Sequence, residues 1–224
     1  KSGTKEIAHR FGILPSFMAK WNSQLPGCSG HVHQSLWRGD KNVFHDEKGV
    51  FKMSKTFQSY VAGQLHCLPE ILPFFAPTVN SYKRLVDGFW APTKVTWGVD
   101  NRTTALRAIP GSAKSTRLET RVPGSDANPY LALAAAIASG LYGVEKNLPL
   151  KTSPVQGSAY LEKISERLPR NLYEATMRLS DSKVAREIFG DVFVEHFVQT
   201  RLWEWRQFQD SVTNWELQRY FEII

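Results

Sequence analysis

The segment ANPYLALAAAIASGLYGVEKN, residues 127–147, constrains the fold more than any other stretch of the chain. It is apolar nearly all round at helical length, and Pro129 stands in the first-turn position that suits proline. A helix with so little polar face is expected to be buried, so the rest of the chain has to build layers around it. The texture before Asp126 is different. KVTWGVDNRTTALRAIP and STRLETRVPG are rich in β-branched residues and bounded by Pro and Gly, and they read as strands. Mixed strand and helix over 1–126, followed by a mainly helical 127–224, gives an α+β fold around a largely antiparallel sheet flanked by helices.

The remaining segments fill in that layout. GTKEIAHRFG sets Ile7, Ala8 and Phe11 at helical spacing and closes on Gly12. ILPSFMAKW reads as a strand entering a glycine-rich turn, and GHVHQSLW as the strand leaving it, with His31, His33 and Ser35 on one face. MSKTFQSYVAGQLHCLPEILPFFA has the spacing of one or two helices broken at Pro69, and PTVNSYKRLVDGFWAPT is loop-rich. From SAYLEKISERLP onward the pattern predicts amphipathic helices separated by Pro169, Ser180 and Gly190. The aromatic residues of RLWEWRQFQDSVTNWELQRYF, at helical spacing, read as packing.

Composition removes several classes. No run approaches the roughly 18 apolar residues of a membrane helix, and KSGTKEIAHRFG lacks the apolar core of a signal peptide, so the expectation is a cytoplasmic protein without a membrane partner. Cys28 and Cys67 are too few for a disulfide framework in 224 residues, which fits a reducing compartment. A net charge of +7 favours anionic partners. The arginines of the middle third stand singly in strand-like or turn-like sequence, unlike the blocks of Lys and Arg with interleaved aromatics of a nucleic-acid arm, so nucleic acid is not expected.

Taken singly, each arginine reads as a solvated surface residue, and HxH as an ordinary strand pair. STRLETRVPG changes the weighing, because Arg117, Glu119 and Arg121 alternate onto one strand face. Three charges there are costly unless a ligand organises them, and a phosphate with a divalent cation does so. A histidine with carboxylates suits Mg2+ or Mn2+, ions that bridge nucleotide phosphates. Arg84 beside Lys83, with Arg102 and Arg107 in NRTTALR, brings the arginines to five, the residue type for a bidentate grip on carboxylate and phosphate. Five residues apart, Arg102 and Arg107 share a site only across a bulge or strand end. The Gly27–Gly30 turn lets backbone approach a ligand, or is simply a tight turn. There is no Walker-type loop, and the sequence around Cys28 matches no thiol-enzyme signature.

SGHVHQSLW, NSYKRLV, NRTTALR and RLETRVPGSDANPYLALAA, in this order and roughly this spacing, resemble the carboxy-terminal part of the catalytic domain of class I glutamine synthetases. The likeness runs from about Phe17 to Glu145, and the ending WELQRYFEII is similar to the family's end. It implies ATP-dependent ligation of an amine to the γ-carboxylate of glutamate through γ-glutamyl phosphate. Carried over by position, it implies His31 and Glu119 as metal ligands. His33, Ser35, Arg107, Lys114 and Arg117 would lie along ATP, and Gly27, Arg84 and Arg121 along glutamate, with Arg102 steadying the transferred phosphoryl group.

The sequence departs from the family's pattern in two places. Where the family's flap motif ends YEAP, with a glutamate that helps form the ammonium site, this chain has GFWAP, with Trp90 at that position. Trp90 resembles the branch that makes γ-glutamyl amides from larger amines, the γ-glutamylpolyamine and γ-glutamyl-monoamide synthetases, and an indole offers packing and cation–π attraction to an alkyl ammonium. Pro26 stands where the family more often has Asn. The remaining metal ligands, mostly upstream glutamates, are outside this chain, and the family builds its active sites between subunits of stacked rings. The chain is thus expected to be the carboxy-terminal part of one catalytic domain from a longer, homo-oligomeric polypeptide. Ordinary glutamine synthetase using ammonia, and a catalytically silent structural member such as the lens protein lengsin, are the competing readings.

Overall fold

A computed structural model describes residues 1–163 and 165–223. Helix α1 (Ser2–His9) is followed by β1 (Val32–Gln34), β2 (Trp37–Arg38) and β3 (Lys41–Asn42). Helices α2 (Lys55–Cys67), α3 (Leu72–Phe75) and α4 (Val79–Arg84) precede β4 (Trp97–Val99), β5 (Leu106–Ile109) and β6 (Arg117–Thr120). The remainder is α5 (Pro129–Glu145), α6 (Leu172–Asp181), α7 (Lys183–Phe189), α8 (Asp191–Gln209) and α9 (Asn214–Tyr220).

The main sheet has the order β1-β6-β5-β4, antiparallel at β1/β6 and β6/β5 and parallel at β5/β4, so it is mixed with antiparallel pairing in the majority. Register decides what each face carries. His33, Glu119, Arg107 and Gly98 are Cα partners in one row across the four strands. The flanking rows, Val32–Thr120–Leu106–Trp97 and Gln34–Leu118–Ala108–Val99, point to the other face because side chains alternate along a strand. That second face is covered by α2, which lies along α5.

Both helices start where a side chain satisfies the first free N–H groups: Ser54 accepts from the Phe57 amide at 3.1 Å and Asn128 from the Tyr130 amide at 3.0 Å. Their crossing is close enough to require glycine. A Cβ on Gly63 would stand 2.3 Å from the Ser139 carbonyl oxygen, and one on Gly140 would stand 2.1 Å from the Tyr60 ring. Phe44, Phe57, Tyr60, Leu106 and Leu118 form the core between sheet and α2. A second core of Leu72, Phe74, Leu172, Leu179, Val194 and Phe197 ties α3 to α6 and α8.

Several segments depart from the sequence reading. ILPSFMAKW is irregular, since no strand lies beside it to form a ladder; its backbone is held instead at single points, such as the pair of 2.8 Å bonds between Lys20 and the Asn80 side chain. SAYLEKISERLP forms one short turn, Ala159–Leu161, and then runs beside residues 93–97, with Val95 N donating to Glu166 O at 2.8 Å. Tertiary pairing there overrides an amphipathic spacing; Ile164 of that stretch lies outside the described residues. The break after α6 falls at Ser182 rather than Ser180, and Ser182 caps α7 by accepting from the Ala185 amide.

The apolar helix itself is buried on one side only. Ala132, Ala135, Ala136, Ser139, Gly140 and Gly143 face the sheet and α2, whereas Tyr130, Leu133, Ile137 and Leu141 are exposed, because these 224 residues supply a layer on one flank alone. Of the terminal aromatics, Trp205 packs on Tyr173 and Phe208, while Trp203 and Trp215 are exposed. Among the described residues no helix is long and apolar enough to cross a membrane.

Candidate active site

Glu119 sits at the middle of the central row and is almost fully buried. One oxygen, Oε1, takes the Arg121 guanidinium at 2.8 Å and His31 Nδ1 at 2.9 Å, with His33 Nε2 at 3.7 Å; Oε2 takes Arg107 at 2.8 Å. Burial pushes the Glu119 carboxyl up, but the Arg107 hydrogen bond and the charge of Arg121 outweigh it, leaving the carboxyl below its ordinary value and ionised. The alternation on β6 brings Glu119 and Arg121 to this face, while cross-strand register brings His33 and Arg107.

His31 stands just before β1, and burial, then the Arg121 charge, lower its pKa to about 4 against the pull of Glu119. A neutral imidazole that donates from Nδ1 to a carboxylate leaves Nε2 as a free lone pair, the form in which histidine binds metal. Nε2 is indeed buried and without a partner. A divalent cation fits that atom, with Glu119 on the opposite ring nitrogen holding the imidazole in place. Among the described residues no group of three or more His, Cys, Asp or Glu side chains is placed to hold a metal ion; His31 offers one lone pair, and both Glu119 oxygens are engaged by His31, Arg121 and Arg107.

The arginines divide by what they touch. Arg107 is clamped between Glu119 and Asp100, donating from Nε to Asp100 at 2.9 Å. Arg117 donates to His33 Nδ1 at 3.2 Å and to the Ser115 carbonyl at 3.0 Å, which turns the histidine's other nitrogen toward Glu119. Arg84 is buried, and two of its donors are spent on the Val122 and Arg121 carbonyls at 2.7 and 3.1 Å. Gly27 is required by this arginine: a Cβ there would stand 2.7 Å from Arg84 Cγ and 2.4 Å from the Ala19 carbonyl oxygen. The glycine therefore serves a chain-to-chain approach.

Arg121 keeps a buried Nε with no partner. Arg102 is exposed on the turn before β5; the strand end allowed for between Arg102 and Arg107 is present. Ser35 and Lys114 are exposed, Ser35 accepting from the Trp37 indole at 2.9 Å and Lys114 lying on the turn 113–115. The structure gathers His31, His33, Arg107, Arg117, Glu119 and Arg121 on one face; Arg102, Ser35 and Lys114 lie outside this hydrogen-bonded cluster.

Trp90 is exposed and holds a left-handed backbone (φ 60°) in a turn with Gly88 (φ 84°). Asp87 anchors that loop by accepting from Thr93 and, at 2.9 Å, from Arg167. Sequence reasoning missed Asp100 and Asp87, which no local spacing marks.

A sheet face that gathers two guanidinium groups and two imidazoles on one buried carboxylate, with further arginines beside it, is built for a small, highly charged anionic ligand. Residues 1–220 match the family described as glutamine synthetase, catalytic domain, and the chain belongs to that family. It is 58% identical to the type-1 glutamine synthetase 2 of Dictyostelium discoideum, an alignment covering 100% of this chain and 44% of that protein. It is 42% identical to a glutamate–isopropylamine ligase of Pseudomonas sp, covering 100% of this chain and 49% of the relative. A solved GmaS/ADP complex, 32% identical, superposes with a TM-score of 0.86 over 97% of this chain and 51% of that one. The chain thus spans about half the length of the relatives it matches.

Proposed function

We propose that the protein to which this chain contributes joins an amine to the γ-carboxylate of glutamate, using ATP and passing through γ-glutamyl phosphate. The observation that carries this reading is the row His33–Glu119–Arg107 with His31 and Arg121 on the same carboxylate, in a chain of the glutamine synthetase family. When bound, Mg2+ or Mn2+ would neutralise phosphate charge at His31 and Glu119, and the rest of the longer polypeptide supplies the other ligands. Arg107, Arg117, His33, Ser35 and Lys114 line the ATP side, and Gly27, Arg84 and Arg121 the glutamate side. Arg102 steadies the transferred phosphoryl group. Positioning and electrostatic stabilisation by these fixed donors supply most of the rate in such a transfer. Ring-shaped homo-oligomers with sites between subunits, acting in the cytoplasm, complete the reading.

The amine is an organic one rather than ammonia. Trp90 supports this, since an indole replaces the acid of the ammonium site, as does the likeness to a protein named glutamate–isopropylamine ligase. Ammonia is the second reading, favoured by the likeness to a protein named type-1 glutamine synthetase 2. The test is ATP hydrolysis by the full-length protein with glutamate and Mg2+ or Mn2+ across ammonia, alkyl monoamines and polyamines. Greater stimulation by an organic amine is expected; greater stimulation by ammonia selects the second reading, and silence from assembled protein points to a non-catalytic member.

A further inference from the structure

The loop that carries Trp90 is held from two sides. Toward β4, Asp87 accepts from Thr93 and, at 2.9 Å, from Arg167. On the opposite flank a cleft of about 590 Å3 separates the loop from residues 18–23, with Met18, Trp21, Asn80, Val86 and Phe89 in its walls. Close packing does not hold the loop along that flank. Lys20, which also lines the cleft, reaches across it.

Lys20 is only 8% exposed. Its backbone N–H donates to the Asn80 side chain and its carbonyl accepts from it, both at 2.8 Å, which seats the residue on α4. From there the ammonium donates to the Leu25 carbonyl and stands over the Phe89 ring, 4.2 Å from its centroid. A cation over a ring face is attracted by the ring's quadrupole, more strongly the less water surrounds it, and both partners are at least partly buried. Phe89 immediately precedes Trp90, and its N–H closes the turn onto the Val86 carbonyl at 3.3 Å. Gly88 and Trp90, on either side of it, both hold left-handed backbone. The chain therefore reverses tightly around Phe89, and a shift of its ring turns Trp90 with it.

We propose that Lys20 is a positioning residue for the Trp90 loop: its ammonium, set on the face of the Phe89 ring, holds the residue next to Trp90 and so fixes the indole that selects the amine. The contact is a latch across an open cleft, made by one charge on one ring and based on α4, the helix that also carries Arg84. Asp87 fixes the start of the loop and Lys20 its tip, so the indole is presented in one direction although it is itself exposed. The link to amine selection rests on the ligase reading, whereas the holding of the loop does not.

The experiment uses the full-length protein with Lys20→Met, which keeps the stem and removes the charge, Phe89→Leu, which removes the ring face, and the double variant. Hydrogen exchange of residues 86–90 in the unliganded protein should quicken by about two- to tenfold in each single variant, with exchange in α2 and α5 unchanged for Phe89→Leu. The double variant should exchange no faster than the singles, because both remove the same contact. Lys20→Arg, which keeps a cation for the ring, should stay within about twofold of wild type. The ratio of kcat/KM for an organic amine over ammonia should fall by about two- to fivefold in Phe89→Leu, with ATP KM constant within about twofold. Unchanged loop exchange in Phe89→Leu, or additive effects in the double variant, overturns the latch. Quicker loop exchange with an unmoved amine ratio overturns its part in selection. Wild-type protein that turns over no amine sinks the ligase reading, while the exchange data still decide the latch. Should Lys20→Met not fold for want of its bond to Leu25, Phe89→Leu and Lys20→Arg decide the matter, since both keep a cation at position 20.

Discussion

Strand β6 presents two unlike faces. Leu118 and Thr120 point at the helices, where every polar group finds a partner: Thr120 donates to Gln64 at 2.7 Å, Gln64 and Tyr60 donate to Gln34 at 2.8 and 2.7 Å, and Gln34 donates back to Thr120 at 2.9 Å. Arg117, Glu119 and Arg121 point the other way, where His31 Nε2 and Arg121 Nε stay buried and unpaired. Buried polar groups are ordinarily satisfied, so the first face is complete in itself and the second is completed by what binds it. One strand carries the packing of the domain on one side and the chemistry of the site on the other.

The strongest way to break this contrast is Glu119→Gln, which keeps shape and removes charge. Turnover of the full-length protein should fall by on the order of 10²–10³ or more under the ligase reading, as for loss of a main electrostatic group in a preorganised site. The unliganded protein should also lose about 3 kcal/mol in denaturant unfolding, because Arg107 and Arg121 are left facing a neutral side chain. Wild-type turnover in this variant removes the metal and phosphate assignment. Next in size is Gly63→Ala on the helix face, where the new Cβ meets the Ser139 carbonyl oxygen. Overpacking of this kind costs about 1–3 kcal/mol, with KM values unchanged for whatever protein still folds. Gln64→Leu should cost about 1–2 kcal/mol by unpairing Thr120 and one acceptor of Gln34, again without moving KM. A large KM effect from either helix-face change would mean that the two faces are coupled.

The two faces were also unequally legible in the sequence. Arg117, Glu119 and Arg121 announce their shared face by a period of two, and His31 with His33 does the same, because strand alternation is local. Gln34 follows in the same motif, yet its pairing with Gln64 and Tyr60 depends on which helix the sheet packs against. Asp100 is brought to Arg107 by the turn between β4 and β5, which does not follow from spacing. The exposed side of α5 escaped for a related reason. Local composition marks Tyr130, Leu133, Ile137 and Leu141 as apolar, but which side of the helix meets the sheet and α2 is set by tertiary packing, and these four are left exposed.

Trp90 belongs to neither face, and its effect is expected to be the smallest. Its left-handed backbone and exposed indole hold it at the end of a loop anchored through Asp87, so a change of side chain there leaves the sheet untouched. Trp90→Glu replaces an apolar, weakly cation-attracting surface by a formal negative charge. A cation–π contact at such a site is worth about 0.5–1 kcal/mol, so the preference for an organic amine over ammonia should shift by roughly two- to fivefold, read as the ratio of kcat/KM for the two amines at saturating ATP and glutamate. Glutamate KM should stay constant in this variant. If Trp90→Glu changes the glutamate KM and not the amine ratio, the amine reading loses its residue.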